Sequence, residues 1–330
     1  MTTGAELVQG LSLAGIRAAR NQLGERVLET PVQRLSGPAV EAAFAPGTAA
    51  YLKLELFQRT GSFKPRGALL NALALSKAEI AHGICAISAG NHAIATAYAA
   101  RCLGTSAKVV MTVSANPFRI AQCRLYGAEV ELTADVHAGF RRVKEIQESE
   151  SRAFIHPYEG VCVSLGTGTL GVEFIEQVPD LDAVIVPIGG GGLASGVSAA
   201  VKLLRPDCEV FGVEPFGADS MYQSFKAGHP AAIDKIATIA DSLGAPFATP
   251  MSYALCRANI DELVRVTDEE LVAAMRFLLE QARLAVEPAS AAATAALLGP
   301  LRDRLAGRRV GLIVSGANID TASFVRLVGS

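Results

Sequence analysis

Short apolar runs that alternate with longer amphipathic or alanine-rich stretches constrain this chain more than any other feature. Runs at residues 50–55, 84–87, 107–111, 129–132, 183–187, 210–213 and 309–314 have the length and apolar character of strands. Between them, residues 62–75, 92–103, 117–126, 136–149, 169–177, 193–204, 268–283 and 290–298 read as helices. Strands alternating with helices predict an α/β fold, with mostly parallel sheets and helical crossovers. The segment from about residue 76 to 156 is a βαβαβ-like block of its own, and a second sheet is expected around 183–213 and 309–314. Two lobes satisfy that order, the smaller inserted in the larger. Residues 1–76 and 159–330 then form a large domain and 77–158 a small one. No internal repeat or low-complexity linker interrupts the pattern. A ligand belongs in the cleft between such lobes.

The bulk properties exclude several classes. A formal net charge of −2 gives no electrostatic reason to bind nucleic acid or an anionic membrane. The start, MTTGAELVQG, lacks the charged and apolar regions of a signal peptide. No stretch reaches the roughly 20 apolar residues of a membrane span. Cys85, Cys102, Cys123, Cys162, Cys208 and Cys256 are scattered without a C-x-x-C pair. That suggests reduced, buried thiols in a cytoplasmic protein. The five histidines show no metal-ligand spacing.

Four segments carry chemistry. Thr60-Gly-Ser-Phe-Lys64-Pro-Arg-Gly-Ala68 places Lys64 at a loop-to-helix junction, beside Phe63 and before Pro65. A lysine there can lose water from its amine and have its pKa lowered, as Schiff-base chemistry needs. The same composition also suits a surface lysine in a helix cap. Gly189-Gly190-Gly191-Gly192 follows a buried-strand run and opens a helix at Leu193. Bare backbone N–H groups at a helix start form a phosphate site. Gly189-x-Gly191-x-x-Ala194, with Glu214 about 20 residues on, also matches a dinucleotide fingerprint and raises an NAD-dependent oxidoreductase as a rival. Ser88-Ala89-Gly90-Asn91-His92 is a second helix-start anion site, suited to an amino-acid carboxylate or to simple capping. Ser315-Gly-Ala-Asn318 ends a strand with a hydroxyl that could meet a ring nitrogen.

Taken with His156-Pro-Tyr158, Gly212-Val-Glu-Pro215 and Glu287-Pro288, these segments run in the order seen in one family. The chain resembles the fold type II pyridoxal phosphate (PLP) enzymes, and within them the threonine/serine dehydratases and serine racemases. The likeness extends from about residue 15 nearly to the end. It implies a two-lobed fold like that of the tryptophan synthase β subunit. It also implies that Lys64 holds PLP and takes the α-proton, while Phe63 packs near the ring. Asn91 would bond the ring hydroxyl, Ser315 would face the pyridine nitrogen, and Gly189, Gly190, Gly191, Gly192 and Leu193 would hold the phosphate. Ser88, Ala89, Gly90, Asn91 and His92 would bind the substrate carboxylate. The implied reaction is loss of the β-hydroxyl of threonine, serine or a related amino acid, giving a 2-keto acid and ammonia. A homodimer is the family expectation.

Three departures refine the expectation. Racemases of this family carry a serine, as a second base, where this chain has Ala89, and a methyl group transfers no proton. That favours a dehydratase over an amino-acid racemase. Glu214, Ala218 and Ser220 fall at the family's cation position, and one carboxylate with a hydroxyl suits a monovalent ion such as potassium. Carbonyls near Gly166, Leu243 and Ala245 are further candidate ligands. The wording after Tyr158 and in the loop 114–119 differs from relatives, which leaves the substrate side chain open. The chain ends 12 residues past Asn318, so no regulatory region is expected there.

Overall fold

The computed structural model describes residues 11–329, so the N-terminal segment read for a signal peptide and the outermost ends of the large domain lie outside the described residues. Ten strands form two sheets: β1 (Val32–Arg34), β2 (Ala49–Leu54), β3 (Ile84–Ile87), β4 (Ala107–Thr112), β5 (Glu129–Thr133), β6 (Ala153–Phe154), β7 (Ala183–Pro187), β8 (Glu209–Pro215), β9 (Glu262–Val266) and β10 (Arg309–Val314). The larger sheet has the order β1-β2-β10-β7-β8-β9 and the smaller β5-β4-β3-β6. Only β1 runs antiparallel to its neighbour.

Both faces of the larger sheet are covered, as parallel sheets require. Along β7, Ala183 and Ile185 face a core shared with the helices Asp268–Phe277 and Pro288–Leu298. Val184 and Val186 face the opposite core, shared with Val161–Gln177 and Gly192–Leu204. In the smaller sheet, Ile84 and Ala86 meet the helix Asn91–Leu103, while Cys85 and Ile87 meet Val143 and Ile146 of Val136–Glu150.

All seven predicted strands are present. β1, β6 and β9 were not predicted; two are only three and two residues long, too short for a hydrophobic run to announce them. The helix expected at 169–177 begins instead at Val161. Its glycines, poor helix formers in isolation, permit close packing. A Cβ on Gly166 would lie 2.3 Å from the Arg66 carbonyl oxygen, and one on Gly171 would lie 2.8 Å from the Ala200 Cβ. The stretch 268–283 divides into the helix Asp268–Phe277 and one wider turn, Leu278–Ala282.

Because β2, β7, β8 and β10 run parallel, their carboxyl ends lie along one edge of the large sheet. The lysine segment follows β2, the glycine loop follows β7, and Ser315 follows β10. The topology thus gathers at one edge what the chain separates by up to 251 positions, from Lys64 to Ser315.

Candidate active site

Lys64 sits immediately before the helix Pro65–Leu73, at the end of a loop that turns through Thr60 and Gly61, both with positive φ. That loop is stitched to the segment after β10. The Phe63 N–H donates to the Ser315 carbonyl at 3.0 Å, and the Ala317 N–H donates to the Gly61 carbonyl at 2.9 Å. The Lys64 side chain is half-buried because it opens onto the cleft, where Nζ donates to the Pro157 carbonyl at 2.7 Å. Loss of water around the amine lowers its pKa to about 8, against the opposing attraction of Glu287.

The glycine loop leads into the helix Gly192–Leu204, whose first N–H groups have no partner within the helix. Gly191 has φ +89°, a conformation that side chains disfavour. A Cβ on Gly190 would come within 2.4 Å of the Tyr158 ring, and one on Gly192 within 2.7 Å of the Tyr158 Cα. No side chain fits this loop, so its backbone lines the cavity directly. Phe63, Lys64, Asn91, the loop from Gly189 to Leu193 and Ser315 all line that cavity. Ser315 Oγ lies 3.0 Å from Ser290 Oγ. Asn91 donates from Nδ2 to Glu287 at 2.6 Å and accepts from Asn318 at 2.6 Å, which leaves one amide hydrogen for a ligand.

An adjoining cavity of about 200 Å³ shares Lys64, Asn91, Tyr158 and Gly190 with the first. Ser88, Ala89, Gly90, Asn91 and His92 form one side of it, at the start of the helix Asn91–Leu103. The Ser88 hydroxyl accepts the Gly90 N–H at 3.1 Å and shapes the turn. His92 differs from its neighbours. Its ring is buried, Nε2 donates to the Ile155 carbonyl at 2.8 Å, and burial lowers its pKa to about 3. The neutral ring is thereby part of the wall.

Glu214, Ala218 and Ser220 come together at the end of β8 but line neither cavity. Glu214 is fully buried and accepts the N–H groups of Met221 and Tyr222 at 2.9 and 2.6 Å. It therefore offers nothing to a ligand on the glycine loop, and the dinucleotide reading fails. Burial pushes its pKa up to about 8, and the nearby Ser220 hydroxyl is buried without a hydrogen-bond partner. Of the further carbonyls considered, that of Gly166 accepts the Thr169 hydroxyl and that of Leu243 accepts the Ala245 N–H.

One polar network in the cleft was invisible in the sequence. Arg119 donates to the Asn318 carbonyl at 2.8 Å, to Asp241 at 2.5 Å and to Glu287 at 3.4 Å. Its partners lie 122 to 199 positions away, so no local spacing could pair them. Glu287, wholly buried, has its pKa raised by burial to about 7. Glu159, directly after Tyr158, caps the helix Pro250–Asn259 by accepting the N–H groups of Met251 and Ser252 at 2.9 and 3.1 Å.

A desolvated lysine amine and a side-chain-free loop at a helix start, with Ser315 on the wall of the same cavity, together fit PLP. The sequence pattern of the pyridoxal-phosphate-dependent enzyme family matches residues 25–316. The chain is 52% identical to a phenylserine dehydratase of Ralstonia pickettii over 96% of this chain and 95% of that protein. It is 38% identical to an L-threonine ammonia-lyase of Thermotoga maritima over 86% of this chain and 70% of that one. Among solved structures, a maize serine racemase superposes with a TM-score of 0.90 at 33% identity, covering 96% of each chain. Site and comparisons agree: this chain belongs to the pyridoxal-phosphate-dependent enzymes of fold type II.

Proposed function

We propose that the protein removes water from a β-hydroxy-α-amino acid, releasing a 2-keto acid and ammonia, with Lys64 as the residue that holds PLP. The carrying observation is the position of the Lys64 amine, on the shared wall of the two cavities. PLP, when bound, delocalises the negative charge left at Cα once its proton is removed. At pH 7 a pKa of about 8 leaves about one amine in ten neutral, against roughly one in three thousand at 10.5, the ordinary value. A neutral Lys64 can take that proton. The N–H groups at the start of the helix Asn91–Leu103 hold the substrate carboxylate. Those from Gly189 to Leu193 hold the cofactor phosphate, Asn91 its ring hydroxyl and Ser315 its ring nitrogen, with Phe63 against the ring.

The racemase alternative needs a second base. Ala89 contributes a methyl group, and the His92 ring is neutral and bound to Ile155, which favours the lyase. A monovalent cation at Glu214, Ala218 and Ser220 belongs to the same reading, supported by a buried carboxylate beside an unpartnered hydroxyl. Potassium should raise the melting temperature in the wild type and not in Glu214→Gln; equal response in both would remove the site. The division into domains 1–76 with 159–330 and 77–158, and a homodimer that sedimentation velocity checks, complete the proposal.

Borohydride reduction followed by peptide mapping tests the centre of it. A pyridoxyl group on the Lys64 peptide, and loss of keto-acid release in Lys64→Ala, is the expected result. Turnover retained in Lys64→Ala would overturn the mechanism.

A further inference from the structure

We infer that His156 is a positioning residue for Lys64: its ring nitrogen Nδ1 aims the Pro157 carbonyl that holds the Lys64 amine between the two cavities. This rests on Lys64 being the residue that holds PLP, and it adds what keeps the free amine in place. The segment His156–Glu159 joins β6 of the small sheet to the helix Val161–Gln177. Pro157 has a fixed φ of about −65°, and it lines the substrate cavity and the space behind Lys64. Its carbonyl accepts the Lys64 amine at 2.7 Å. The same peptide unit carries the Tyr158 N–H, which donates to His156 Nδ1 at 3.2 Å. In a planar trans peptide the C=O and N–H point in opposite directions. Fixing the N–H on His156 therefore turns the carbonyl to Lys64.

The neighbouring groups leave this peptide little freedom. The Glu159 N–H shares the same acceptor at 2.9 Å. The Tyr158 carbonyl accepts the Ser252 hydroxyl at 2.7 Å, and the Ile155 carbonyl accepts His92 at 2.8 Å. Two N–H donors on Nδ1 require the ring proton to sit on Nε2. Burial keeps the ring in that neutral form, with a pKa lowered to about 4 and the Lys64 charge acting in the same sense. The arrangement suits a base. A neutral amine has two hydrogens and one lone pair. One hydrogen on Pro157 leaves the lone pair to take the α-proton, while the C–H electron pair stays at Cα, where PLP delocalises it. The ammonium that forms keeps its bond to Pro157, now charge-assisted and stronger. A contact that strengthens as charge develops lowers the barrier.

The test compares the wild type with His156→Phe, His156→Asn and His156→Gln. Phenylalanine can retain the edge-on packing against Phe154 and Tyr158, at 5.8 and 4.9 Å, but has no acceptor. Asparagine loses the ring and offers Oδ1 at the same remove from Cβ as Nδ1. Glutamine carries its acceptor one bond further out. For keto-acid release from threonine, His156→Phe and His156→Gln should lose about 10–100-fold in kcat with KM little changed. His156→Asn should keep most of the kcat. The second readout is the limiting rate at which added PLP attaches to the cofactor-free chain, measured above the Lys64 midpoint by stopped-flow absorbance. It should fall in the same two variants and recover in His156→Asn. Equal loss in all three variants would reduce His156 to a structural role and overturn the inference, as would no loss in any. Keto-acid release by the wild type would in either case leave the lyase standing. Attachment rates that set His156→Asn apart from the other two, without keto-acid release by the wild type, would remove the lyase and keep the tether.

Discussion

Burial acts on Lys64 and Glu287 in the same sense, disfavouring the charged form of each: the amine falls to about 8 and the acid rises to about 7. The two are coupled, since the Glu287 carboxylate attracts the Lys64 ammonium and limits its fall. Only a neutral amine attacks a carbonyl. The rate at which added PLP attaches to the cofactor-free protein should therefore rise with pH through about 8 and flatten above it. Glu287 is ionised in that range, so Glu287→Gln removes an attraction and should move the midpoint lower. Stopped-flow absorbance against pH measures both, and a wild-type midpoint near the ordinary lysine value would refute the desolvated site. The candidacy of Lys64 was legible from the order of motifs that resembles one family, since Phe63 and Pro65 alone mark a helix start that suits a surface lysine as well. Its environment was not, because Glu287 lies 223 positions away.

At the scale of elements, local pattern worked where an element's own residues determine its environment. The strands buried on both faces are near-continuous apolar runs, and all were legible. The pattern failed for β1, β6 and β9, and for the first two turns of Val161–Gln177, where glycine composition argues against a helix that packing then rewards. The glycine loop shows the same principle from the other side. A Cβ on Gly192 would press against the Tyr158 backbone, which cannot rotate away. Gly192→Ala should cost about 1–3 kcal/mol and speed loss of PLP. Thermal melting and the rate of cofactor dissociation check this; unchanged values in both would mean the loop has slack.

For the whole molecule, the decisive feature is the convergence of three strand ends and one inserted lobe on a single cleft. Arg119 and Asn91 reach from the lobe carrying the small sheet to Asp241, Glu287 and Asn318, on segments packed with the large one. Those ties place Ser88–His92 across the cavity from the glycine loop. Among the described residues no helix is long and apolar enough to cross a membrane. The ordered motifs of the sequence carried a family resemblance that implied the fold type and the cofactor family, and the structure and the comparisons bear out both. Three-dimensional packing set the rest: Glu214 is walled off from the glycine loop, and His92 is buried against the Ile155 carbonyl, which keeps its ring neutral. Burial and pairing between distant segments depend on three-dimensional proximity, which local sequence spacing does not encode.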